Sequence, residues 1–174
     1  MVDLSDVFSF PNPVNEKTAR VVAGGVAVLA ATTLLTGWYW LLVVLATGFL
    51  ARVVSGPTLS VLGQVASRVI APRLGPPKFV PGPPKRFAQA IGLAVSTAAA
   101  VASLGFGLTT LAGALVAVLF VFAALESVVG FCTGCWVFGR LMKHGLIPEA
   151  TCDACNSIWD RDVSSTRAPQ PHGA

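Results

Sequence analysis

Polar positions are nearly absent from four long stretches of the chain. Blocks of about 16 to 23 apolar residues fall at 21–36, 39–54, 87–104 and 108–130, separated by short turns or by one polar connection. Each is close to the ~20 residues needed to cross ~30 Å of hydrocarbon as helix. The pattern predicts an all-α protein, a four-transmembrane-helix bundle built from two helical hairpins at 18–57 and 87–131. Asn15 or Thr18 can cap the first helix, and the aromatic triplet Trp38, Tyr39 and Trp40 between the first two blocks marks a membrane interface.

Within the blocks, small residues recur every four positions, as Ala23, Ala27 and Ala31, then Gly92, Ser96 and Ala100, then Gly113 and Ala117. That spacing lets helix backbones approach closely in lipid. Between the hairpins the period stays helical but the polarity changes. Over residues 58–71, Leu59, Leu62, Val65, Ala66, Val69 and Ile70 share one face, opposite Ser60, Gln64, Ser67 and Arg68, which reads as an interfacial amphipathic helix. Six prolines then fall between Pro72 and Pro84, and residues 72–86 read as a stiff, extended linker, with the third helix starting at about Phe87.

Composition agrees with a membrane protein and excludes an ordinary soluble domain: 54% hydrophobic and only 11% charged residues, with a mean hydropathy of +0.73. Charge then orients the spans. All twelve Lys and Arg residues lie before the first helix, in or next to the central connection, or after the fourth helix. The uncharged turns between paired helices have none. The positive-inside rule places residues 1–17, the linker and the C-terminal part in the cytoplasm. The basic pI of 9.2 is thereby assigned to insertion and to anionic lipid of the bilayer rather than to nucleic acid. ARVVSG at 51–56 and LESVVG at 125–130 end the two hairpins alike, the mark of a parallel repeat.

Aligning those phrases sets Arg52 opposite Glu126, the one carboxylate inside an apolar block. An ionised acid there needs a partner, and the expected intramembrane ion pair is Glu126 with Arg52, with Arg20 as the other candidate. All four cysteines follow within 30 residues, as Cys132, Cys135, Cys152 and Cys155 in the spacing Cys-x2-Cys-x16-Cys-x2-Cys. Residues 132–160 form a cytoplasmic Cys-rich helical segment, and 161–174 a disordered tail. The spacing fits a closed Zn site of four thiolates, a binding or assembly module rather than an enzyme. Each Cys-x2-Cys also sits where it can open a short helix, the setting of a redox pair serving thiol-disulfide exchange or sulfur transfer with a soluble thioredoxin-like or rhodanese-like partner. Inert thiols on a helix surface are the third reading of the cysteines. A small transporter is the third reading of the whole, and the lack of prolines breaking the spans counts against it. His144 fits a helix C-terminus, and Trp136, Phe138 and Trp159 are expected to dock the segment on headgroups.

PNPVNEKTAR near the start, PPKRFAQAIG before the third helix, and GFCTGCWVFG with GLIPEATCDACNSIW after the fourth together resemble the bacterial membrane proteins grouped as domain of unknown function 4395. The resemblance covers about residues 8 to 160. It implies a small multi-pass membrane protein with a Cys-x2-Cys after its last span, and it brings no established activity.

Overall fold

The computed structural model of the chain describes residues 12–147. Cys152, Cys155, Trp159 and the expected tail lie outside the described residues.

Asn15 ends a two-residue strand, β1 (Val14–Asn15), and caps the helix that follows, its Oδ1 accepting from the Lys17 N–H at 3.0 Å. That helix, α1 (Glu16–Thr36), stops at Gly37, whose φ of 70° lets its N–H return to the Thr33 carbonyl. The aromatic triplet makes the turn, with Trp38 and Trp40 stacked and exposed, and α2 (Leu41–Ser55) follows. Ser60 caps α3 (Val61–Val65), which continues through a π-helical turn (Ala66–Ile70) and a 3-10 turn (Ala71–Leu74). A second short strand, β2 (Phe79–Val80), precedes α4 (Gly82–Ala100), itself prolonged by a π-helical turn (Val101–Gly105). The last two helices are α5 (Thr109–Val128) and α6 (Thr133–Lys143).

Among the described residues, three helical stretches are long and apolar enough to cross a membrane: Glu16–Thr36, Gly82–Gly105 and Thr109–Val128. The sequence pattern expects four. Helix α2 is as apolar as the others, but its 15 residues cover only ~22 Å at 1.5 Å per residue. It is shortened at both ends, by the aromatic turn and by Ser55-Gly56-Pro57.

The linker also differs from expectation. Helix α4 begins at Gly82 rather than near Phe87, because Pro83 and Pro84 occupy its first turn, where a missing N–H breaks no helical hydrogen bond. Proline density there initiates a helix instead of forbidding one.

Contacts at the two ends fix how the helices align. Strands β1 and β2 pair antiparallel, with Val14 opposite Val80. The Glu16 N–H donates to the Lys78 carbonyl at 2.7 Å, and the Gly82 N–H to Asn12 Oδ1 at 3.1 Å. The starts of α1 and α4 are thereby held side by side. Arg20 joins them to the end of α5, donating to the carbonyls of Ser127 and Val128 at 3.2 and 2.7 Å. A cation on those last carbonyls also favours the helix dipole. At the other end the Tyr39 hydroxyl donates to the Thr109 carbonyl. Helix α1 packs along α5, and α2 along α4.

Among the buried positions, one stripe runs 23, 27, 30 in α1, another 92, 96, 99 in α4, and another 112, 116, 119, 123 in α5. They alternate steps of four and three, where the sequence reading takes strict fours. A seam repeating every 3.5 residues is what near-antiparallel helices share, so Ala30 and Ala99 are buried rather than Ala31 and Ala100, and Gly113 and Ala117 sit off the seam. Outward-facing Val28, Leu35, Val44, Leu111 and Val121 are exposed, as suits a membrane protein whose spans have lipid for solvent. Helix α3 splits its apolar face. Leu62 and Ala66 turn toward protein, and Leu62 lies where a Cβ on Gly25 of α1 would be, whereas Val61, Val65 and Val69 point outward.

At Gly92 a methyl group would overlap the Phe49 ring of α2. Gly92→Ala should therefore lower thermal stability in detergent, by about 1–3 kcal/mol for overpacking. Gly139→Ala is the control, since a methyl there meets nothing within 4 Å; it should leave stability unchanged or raise it by up to about 1 kcal/mol. Equal shifts in the two melting curves would mean that the α2–α4 contact is looser than described.

Candidate functional site

Helix α5 ends at Val128, and two residues later Gly130, at φ 79°, turns the chain. Beyond it Cys132 takes the extended conformation of a helix cap, and its Sγ accepts from the Cys135 N–H at 3.2 Å. Cys132 and Cys135 are joined as a disulfide, their Cα atoms 5.2 Å apart. The pair thus sits across the first turn of α6, where unsatisfied N–H groups and the helix dipole favour negative charge on sulfur.

The residues between the cysteines hold this turn against α4. A Cβ on Gly134 would lie 2.5 Å from Ala88 Cβ and 2.6 Å from Ala88 Cα, so only glycine lets the two backbones come so close. Further along α6, the buried Phe138 ring packs against Phe87 of α4, with centroids 5.5 Å apart. Phe138 therefore docks the segment on protein rather than on headgroups. Trp136 is exposed, with the Arg140 guanidinium 4.8 Å above its ring. His144 lies at the C-terminus of the helix, as expected.

Glu126 is paired, but with Lys85: Nζ lies 2.6 Å from Oε1, and the two side chains are 8% and 16% exposed. Neither expected partner reaches it. Arg52 is buried, donates to Gln89 Oε1 and Ser60 Oγ at 2.9 and 3.1 Å, and lies over the Phe49 ring. Arg20 is committed to the last carbonyls of α5. The cause is the early start of α4. With the first helical residue at Gly82, Lys85 belongs to a helix facing α5, not to a surface linker, and the sequence signal for this was the proline pair.

Two cavities flank the ion pair. One, of about 460 Å³, is lined by both cysteines together with Lys85, Glu16, Phe131, Trp136 and Met142. The other, of about 260 Å³, lies among α1, α2, α4, α5 and α6, and Glu126, Gln89 and Thr133 are its polar members in an otherwise apolar wall. The Thr133 hydroxyl is buried and has no hydrogen-bond partner among the described residues. Of the four expected metal ligands, Cys132 and Cys135 are brought together here and bonded to each other; Cys152 and Cys155 fall outside the described residues.

Residues 14–143 match the family described as Domain of unknown function (DUF4395), and the chain belongs to that family. Among curated proteins and among solved structures, nothing matches the chain.

Removing either charge of the Lys85–Glu126 pair leaves the other buried without a partner. Glu126→Gln and Lys85→Met should each destabilise the protein in detergent by about 3–5 kcal/mol, and the double change should recover much of the loss. Additive losses in the thermal melts would show that the two side chains act independently.

Proposed function

We propose that this member of the DUF4395 family is a thiol-disulfide exchange component of the bacterial inner membrane. In this reading α2 completes the layer as a short fourth crossing, both termini face the cytoplasm, and the Cys132–Cys135 pair reacts at the basic membrane face with a soluble thioredoxin-like or rhodanese-like partner. The observation that carries it is the disulfide between two cysteines that open a helix docked on the spans.

The exchange follows from that geometry. As a dithiol, the pair attacks through Cys132, whose sulfur receives the Cys135 N–H at the positive end of α6. Attack on a partner's disulfide forms a mixed disulfide and releases one partner thiolate. Cys135 then attacks the Cys132 sulfur, closing the 132–135 bond and releasing the second partner thiolate. The reverse sequence oxidises a partner dithiol with the same bonds made and broken. A four-thiolate zinc site remains the alternative on spacing alone, but sulfurs bonded to each other are not available as thiolate ligands until they are reduced.

Orientation has its own test. Reporters fused after Arg73 and after His144 should both read cytoplasmic, and one in the Gly105 to Gly107 turn should read external. Fusions at 73 and in the turn that reported the same side would overturn the four-crossing arrangement, and a fusion after Arg73 that read external would remove the crossing by α2.

The cysteine variants separate the chemistries. Cys135→Ser should trap a mixed disulfide with a partner on non-reducing gels, whereas Cys132→Ser should trap none. Stoichiometric zinc in the purified protein, lost equally on replacing any of Cys132, Cys135, Cys152 or Cys155 by serine, would instead establish the metal site.

A further inference from the structure

A disulfide that has oxidised a partner dithiol is left as a dithiol, and it must pass two electrons on before it can act again. We infer that the cavity holding Cys132, Cys135 and Lys85 binds the ring of a lipid-soluble quinone, which takes those electrons; this rests on the exchange reading above.

The cavity suits that occupant by place, lining and charge. Its walls come from the first turn of α4 (Pro84, Lys85) and from the residues just past α5 (Gly130, Phe131), so it opens where the spanning helices leave the apolar layer. A carrier dissolved in the bilayer meets it there. Its volume of about 460 Å³ falls in the ~300–1,000 Å³ range of small-molecule sites. Phe131 and Trp136 offer aromatic surface, both partly open to the surroundings. Against this apolar wall stands one buried cation. Lys85 spends one N–H on Glu126 Oε1, and an ammonium has three, so two remain to donate to a ring carbonyl. The same ammonium stabilises the oxyanion that forms when the ring accepts electrons, and it does so away from bulk water. Glu16, the other ionisable side chain of the wall, is itself paired with Lys78 at 2.9 Å.

The reaction balances. The Cys132 thiolate adds to a ring carbon, forming a C–S bond and sending an electron pair onto the carbonyl oxygen beside Lys85. The Cys135 thiolate then attacks the Cys132 sulfur. The S–S bond forms, the C–S bond breaks, and its electron pair passes to the ring. The two protons released by the thiols complete the hydroquinone, so one dithiol and one quinone become one disulfide and one hydroquinone.

The test uses the full-length protein in lipid nanodiscs, reduced, freed of reductant and mixed anaerobically with decylubiquinone, a fully substituted quinone that keeps no thiol adduct. One hydroquinone per protein is expected, together with loss of two free thiols, and Cys132→Ser or Cys135→Ser should abolish both. The Lys85→Met/Glu126→Gln double variant, which leaves no unpaired charge, should still form its disulfide with oxidised glutathione yet reduce decylubiquinone at least tenfold more slowly. Reduced wild-type protein that is oxidised by glutathione disulfide but not by decylubiquinone would overturn the quinone site and leave the exchange reading standing. Protein whose Cys132 and Cys135 are oxidised by neither would overturn the exchange reading itself. A double variant as fast as wild type would remove Lys85 from the site.

Discussion

The buried Lys85–Glu126 pair is the contact on which the working end of this protein depends. It ties the first turn of α4 to the last turn of α5, next to where the chain turns into α6. Neither charge has enough water around it to stand alone, so the two helix ends cannot part without a large electrostatic cost. That constraint sets the platform on which Ala88 receives Gly134 and Phe87 receives Phe138. The position of the disulfide is inherited from it.

Away from that end, the bundle is held by different means. Lipid gives little hydrophobic reason for helices to associate, so association rests on close approach and satisfied polar groups. The Phe49 ring fills the space left by Gly92, and Ser96 and Ser103 return their hydroxyls to carbonyls four residues earlier. Arg52 shows the same economy in another form. A buried guanidinium is held by a glutamine, a serine and an aromatic face, neutral partners that spread its charge without calling for an acid.

The arrangement also divides labour between faces. The basic end gathers the starts of α1 and α4, the end of α5 and the cysteine pair. The opposite end has only two short turns, joined by Tyr39 and Thr109. The cations, the buried ion pair and the cavity beside the cysteines thus coincide at one end. In the proposed exchange the spans act as a holder for one helix N-terminus.

Sequence alone determined that the chain is helical and apolar enough for a membrane, and that a Cys-x2-Cys follows its long apolar helices. Those conclusions need only local information: the length of an apolar block, a glycine at a turn, a proline or an asparagine at a cap. The helix register is nearly legible as well, since small residues mark the packed faces, and the structure replaces a step of four by alternating fours and threes. Tertiary structure decided what depends on two segments meeting. Glu126 is paired with Lys85 because α4 starts five residues earlier than a reading of proline as a breaker allows, and helical phase then carries Lys85 to α5. Gly134 matters because Ala88 lies beneath it, 46 positions away in the chain. The bond between Cys132 and Cys135 also belongs to this level, because it is the first turn of α6 that brings their sulfurs together.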